Sequence, residues 1–109
     1  MNRWTSYESP NKADWLEVEF EKAETVGRVE LYVYDDRGGV QPPTSMEVQC
    51  FQDGKWMGVD QPQMSPPRPV GSIKNTVRFR AQETTKLRVV FTNAGNARSG
   101  VTEIEVWRE

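Results

Sequence analysis

Residues 14–36 read DWLEVEFEKAETVGRVELYVYDD, and the fold follows from how they alternate. Leu16, Val18 and Phe20 interleave with Glu17, Glu19 and Glu21. Further on, Val29, Leu31 and Val33 interleave with Arg28, Glu30 and Tyr32. A period of two, enriched in β-branched and aromatic residues, marks antiparallel strands that bury one face and leave the other in water. The polar run at 21–25 reads as a turn. The stretch is therefore expected to form two strands, 14–20 and 26–34.

The same grammar continues outward in both directions. Strands are expected at 45–51, 55–59, 75–80, 86–92 and 101–107. Asp53-Gly54 between the first two of these is a tight-hairpin signal. The entry, 1–14, is irregular and polar, with Ser9-Pro10-Asn11 as turn chemistry. Gly38-Gly39 and Pro42-Pro43 mark a loop at 35–44. Four prolines within 60–74 bar that segment from a central strand. A turn is expected at 82–85 and a Gly/Asn loop at 93–100. With no heptads, internal repeat or helical pattern, seven or eight short strands predict an all-β protein: an antiparallel β-sandwich of the jelly-roll kind, one domain over 1–109.

Composition narrows the function. Hydrophobic residues make up 36% and charged residues 28% of the chain, with net charge −2, values proper to a globular protein. No Lys/Arg stripe offers a nucleic-acid footprint, and no apolar run approaches a membrane span, so neither partner is expected. Cys50 is alone, which leaves no internal disulfide and no Cys-x-x-Cys site. It is in phase with Met46 and Val48, so a buried, inert thiol is expected. The absence of histidine removes Ser-His-Asp and Cys-His triads and the common zinc sites, which argues against an enzyme.

Connection lengths carry a spatial expectation. If successive strands run antiparallel, the short turns at 21–25, 52–55 and 81–86 share one end of the sandwich. The entry and the loops 35–44, 60–74 and 93–100 share the other. Varied loops on a rigid scaffold are a usual seat of binding.

Several stretches in order resemble the discoidin, or coagulation factor V/VIII type C, family: Trp4 in NRWTS, DWLEVEF, VGRVELYVY, Asp53-Gly54-x-Trp56, TVRF, LRVVFT and the closing TEIEVW. The resemblance covers Trp4 to Trp107 and is closest to the family 32 carbohydrate-binding modules, galactose-binding-like domains of bacterial glycoside hydrolases. It implies a jelly roll, a non-catalytic role and ligand binding by loops at one end. It also implies a structural calcium ion, with Glu103 matching a family glutamate. Galactose itself is not supported, because family members that select it often use a histidine. The chain opens close to its first strand and is expected to be an excised domain of a larger secreted bacterial protein, extracellular or periplasmic. Its expected partners are a glycan and the parent's catalytic domain, and the unit is expected to be monomeric.

A sugar site needs a flat aromatic face and planar or charged groups for paired hydroxyls. Trp4 and Tyr7 are the aromatic candidates. Asp36 and Arg37, with Asn96 and Arg98 opposite, are the polar ones. Gln41 is a weaker extra, and Asn93 is expected to cap a strand end or satisfy local backbone. Trp15 and Trp56 are expected to be structural, and Trp107 to face outward. Glu17, Glu19 and Glu30 read as a solvated face. A competing reading is an interaction domain that docks on its parent through Trp107 and the 60–74 loop. Phospholipid binding would need apolar loop tips with basic neighbours, and the loops read as mostly polar.

Overall fold

The computed structural model describes residues 4–5, 13–33, 35, 38–93 and 100–108. They contain seven strands: β1 (Trp4–Thr5), β2 (Ala13–Val33), β3 (Ser45–Gln52), β4 (Lys55–Gly58), β5 (Gln63–Ser65), β6 (Lys74–Thr92) and β7 (Gly100–Trp107). All pairings are antiparallel, and the path through the sheet is β1-β7-β2-β6-β3-β4, with β5 also on β6.

The expected turns at 21–25 and 82–85 do not end strands. β2 runs unbroken for 21 residues and β6 for 19, and the two stay paired from Ala13↔Thr92 to Tyr32↔Lys74. Fully extended, β2 would measure about 70 Å, yet the longest dimension of the molecule is 37 Å. The paired ribbon therefore folds over on itself. Two register breaks make the fold. β2 carries residues 20–23 against residue 85 alone on β6, and β6 then carries 79–81 against Gly27 alone on β2. Extra residues, first on one strand and then on the other, bend and twist a ladder without breaking it. The polar residues at 21–25 were the right signal for a change of direction, but the ladder passes through it.

Folding the ribbon produces two layers. The first contains residues 13–19 of β2, 86–92 of β6, then β3 and β4. The second contains β1, β7, residues 28–33 of β2, 74–78 of β6 and β5. Their inner faces share one core. Val48, Cys50, Leu87, Val89 and Phe91 come from the first layer, and Val29, Leu31, Val33, Val77 and Val101 from the second. This is the predicted antiparallel β-sandwich, with the alternating positions of the opening stretch divided between its layers.

Asp53-Gly54 forms the expected two-residue hairpin between Gln52 and Lys55, with φ of 50° and 78° at the two positions. Both values are left-handed, which Asp tolerates and Gly adopts freely. The Pro-rich segment contributes only β5, a three-residue edge strand.

Candidate functional site

Contacts between described residues gather the flanks of the long loops at one end. The backbone N–H of Thr44 donates to Thr92 O at 2.9 Å, and that of Ser72 to Val33 O at 3.0 Å. Asn93 donates its amide to the Asp14 carboxylate at 3.0 Å, so it bridges to the entry strand rather than merely capping its own. Gly71 lies so close to Asp35 that a Cβ there would stand 2.7 Å from the Asp35 Cβ. Asn75, fully buried, holds the 70–73 turn. Its amide donates to Val70 O (2.8 Å) and Ile73 O (3.0 Å), and its Oδ1 accepts from Val70 N at 2.9 Å.

The backbone of Trp4 pairs with Val101, which also pairs with Val33, so β1 joins this end through β7. The side chain of Trp4, and Tyr7, Asp36, Arg37, Asn96 and Arg98 as whole residues, lie outside the described residues. Gln41 donates to Gly38 O at 2.9 Å and so braces its own loop.

The outer face of the first layer carries what the sequence reading placed elsewhere. Trp15 is 52% exposed and not part of the core. Its neighbours in phase are Glu17 and Glu19, while Leu16 and Phe20 pack inward, so the alternation itself contained this signal. From the opposite edge, Trp56 on β4 leans over the same face. Arg88, on the central β6, lies between them, its guanidinium carbon 5.4 Å from the Trp15 ring centre and 4.4 Å from that of Trp56. Arg88 Nε donates to Gln49 Oε1 at 2.7 Å, and Gln49 Nε2 donates to Glu47 Oε1 at 2.6 Å. Gly58 makes room for this chain, since a Cβ there would meet Glu47 Oε2 at 2.9 Å. In the adjacent row, Lys86 Nζ sits 4.4 Å from the Phe51 ring, and Phe51 meets Trp56 edge-on at 5.3 Å.

The bent end of the ribbon is distinct. Trp107 is 41% exposed, as its phase predicted, with Arg28 5.0 Å over its ring. Arg108 pairs with Glu24 at 3.1 Å, beside a shallow hollow of about 260 Å³ that Phe20, Val26, Val106 and Trp107 help to line. A smaller apolar pocket of about 170 Å³ opens between β3 and β5, lined by Met46, Val48, Val59, Pro62, Met64 and Val77.

Glu103 is exposed on β7 opposite Tyr32. Among the described residues no three His, Cys, Asp or Glu side chains gather as a metal site. Cys50 is fully buried as expected, and burial pushes its thiol up from 9.0 to about 11, offset only in part by a hydrogen bond with Gln82.

The F5/8 type C domain family model matches residues 1–105. A chain from structural work on the Streptococcus pneumoniae β-galactosidase BgaA has the same fold, with TM-score 0.89 at 19% identity, covering 100% of this chain and 76% of that one. Chitosan-binding module 1 of a chitosanase/glucanase from Paenibacillus sp. IK-5 matches with TM-score 0.67 at 22% identity, covering 96% and 75%.

Proposed function

The chain belongs to the F5/8 type C domain family, and on that premise we propose that it is a non-catalytic carbohydrate-binding module that holds an attached enzyme on its glycan. The observation that carries this reading is the convergence of the long-loop flanks on one end of a rigid sandwich, through the Thr44–Thr92, Ser72–Val33 and Asn93–Asp14 bonds. That convergence is what a loop-built site requires. The chitosan-binding module and the β-galactosidase chain with this fold support it.

In the proposed site Trp4 and Tyr7 offer ring faces to the sugar. Asp36, Arg37, Asn96 and Arg98 hold its hydroxyls by charge-assisted and amide hydrogen bonds. Tethering raises the local concentration of substrate around the attached enzyme, so modest affinity suffices. As part of a secreted protein the module works outside the cytoplasm. Calcium has no part in the proposed contacts.

Titration of labelled protein against a broad glycan panel tests this. Amide shifts confined to 1–14, 35–44 and 93–100, and lost in Arg37→Ala and Arg98→Ala, are expected. If no glycan moves any of these amides, the reading is wrong. A second reading, docking on the parent enzyme without sugar, is favoured by one observation, exposed Trp107 beside its hollow. It predicts that a Trp107 substitution, not the arginine ones, uncouples the module from its parent.

A further inference from the structure

We propose that the outer face of the first layer is a second glycan-binding surface, taking several consecutive uncharged pyranose units laid across Trp15, Arg88 and Trp56. The inference rests on the carbohydrate-binding reading above and extends it to a part of the molecule that the loops do not form.

The argument begins with the cations. Glu17 stands opposite Arg88 in register, and Glu19 opposite Lys86. Yet among the described residues neither cation has a carboxylate within 4.0 Å. Each instead lies over aromatic rings: Arg88 between Trp15 and Trp56, Lys86 on Phe51. The Nε bond to Gln49 fixes the guanidinium plane and leaves its terminal nitrogens as donors. The unpaired carboxylates of Glu17 and Glu19 remain as acceptors beside them. The face thus alternates flat apolar rings with oriented donors and acceptors. A pyranose has complementary surfaces, an apolar C–H side for an indole and vicinal hydroxyls for a guanidinium or carboxylate.

Charge decides between sugars. Glu17 and Glu19 on β2 and Glu47 on β3 flank Lys86 and Arg88 on β6, which favours neither a polyanion nor a polycation. Shape decides the length. Four strands at their usual spacing span about 14 Å, and from the two guanidinium distances the indole centres are within about 10 Å of each other. The face therefore suits internal units of a chain rather than one terminal sugar. It is also continuous with the loop end, because Trp15 follows Asp14, the acceptor for Asn93.

The test uses neutral β-linked glucose, galactose and N-acetylglucosamine oligomers, from monosaccharide to hexasaccharide, with the corresponding polysaccharides. Native protein is expected to bind at least one series with affinity rising with length, and the indole N–H signals of Trp15 and Trp56 to shift with the hexasaccharide. Trp15→Ala and Arg88→Gln should each weaken hexasaccharide binding roughly tenfold and leave monosaccharide binding as in the native protein. Thermal melts serve as the check on folding. If both variants bind the hexasaccharide as the native protein does and the indole signals do not move, while Arg37→Ala and Arg98→Ala abolish binding, this surface is excluded and the loop site stands. If native protein binds no glycan, both proposals fall. If native protein sediments as a dimer and Trp15→Ala as a monomer, the face is a subunit contact and the inference is overturned.

Discussion

Asn75 and Cys50 are both fully buried, and they do opposite things with their polar atoms. Asn75 uses its whole side-chain amide on the 70–73 turn. Asn75→Ala leaves Val70 N, Val70 O and Ile73 O without these partners, and the loss should be roughly 2–4 kcal/mol by urea unfolding. Cys50 has a thiol whose folded pKa, about 11, exceeds its ordinary 9.0 because burial disfavours the thiolate. Below pH 9 both the folded and unfolded thiols keep their proton, and the stabilisation is complete. Between pH 9 and 11 only the unfolded thiol ionises, so stability should fall by roughly 2 kcal/mol. Denaturant midpoints across that range check this, with Cys50→Ala giving a flatter slope. The Cys50 environment was legible from its phase with Met46 and Val48. That of Asn75 was not, because its partners are set by the path of a loop, which strand periodicity does not encode. Trp15 was expected to be structural, and its exposure was readable in its phase with Glu17 and Glu19, because the period of two sets the face whatever the bulk of the side chain.

At the scale of the element, the folded ribbon explains why two polar runs looked like turns. Residues 21–25 and 82–85 do mark a change of direction, but β2 and β6 make it together, still paired at Glu24↔Thr84 and Val26↔Gln82. No local signal separates a turn that ends a strand from a bulge that bends a pair; the difference lies in the partner. Thr84 pins the bend. It is nearly buried, and its hydroxyl lies 2.8 Å from both Phe51 O and Lys86 O, so its single proton serves one carbonyl at a time. Thr84→Val should lower stability by about 1 kcal/mol, with Thr84→Ser close to native, by denaturant midpoint. Asp53-Gly54, by contrast, was readable from two letters, because a two-residue hairpin is decided by its own backbone angles.

At the scale of the molecule, the sandwich has two distinct poles. The long-loop flanks converge at one, and the ribbon bend, the Gln52 side chain bonded to Glu83 O, and Trp107 mark the other. Trp107→Ala should therefore leave glycan affinity within twofold of native by calorimetry, a change of under about half a kcal/mol. Connection lengths anticipated that the flanks at Asp14, Asp35, Thr44, Gly71 and Asn93 share an end, since strand direction alternates even when a bend replaces a turn. The side chains of the loop site had no comparable rule behind them, because loop conformation does not repeat.

The long ribbon also dictates when this protein can begin to exist. Asp14 and Asn93, 79 positions apart, must meet for the ends of β2 and β6 to join. Among the described strands, the β3–β4 hairpin and the β5–β6 pair close from neighbours in sequence, a hairpin on a scale of microseconds, whereas sheets built on distant partners fold in about milliseconds to seconds. On the ribosome β2 emerges ahead of both its partners, β6 and β7, and waits unpaired with Glu17, Glu19 and Glu21 along one face. Those three charges, which the finished sandwich keeps outside its core, are suited to guard the unfinished one against pairing with another nascent chain.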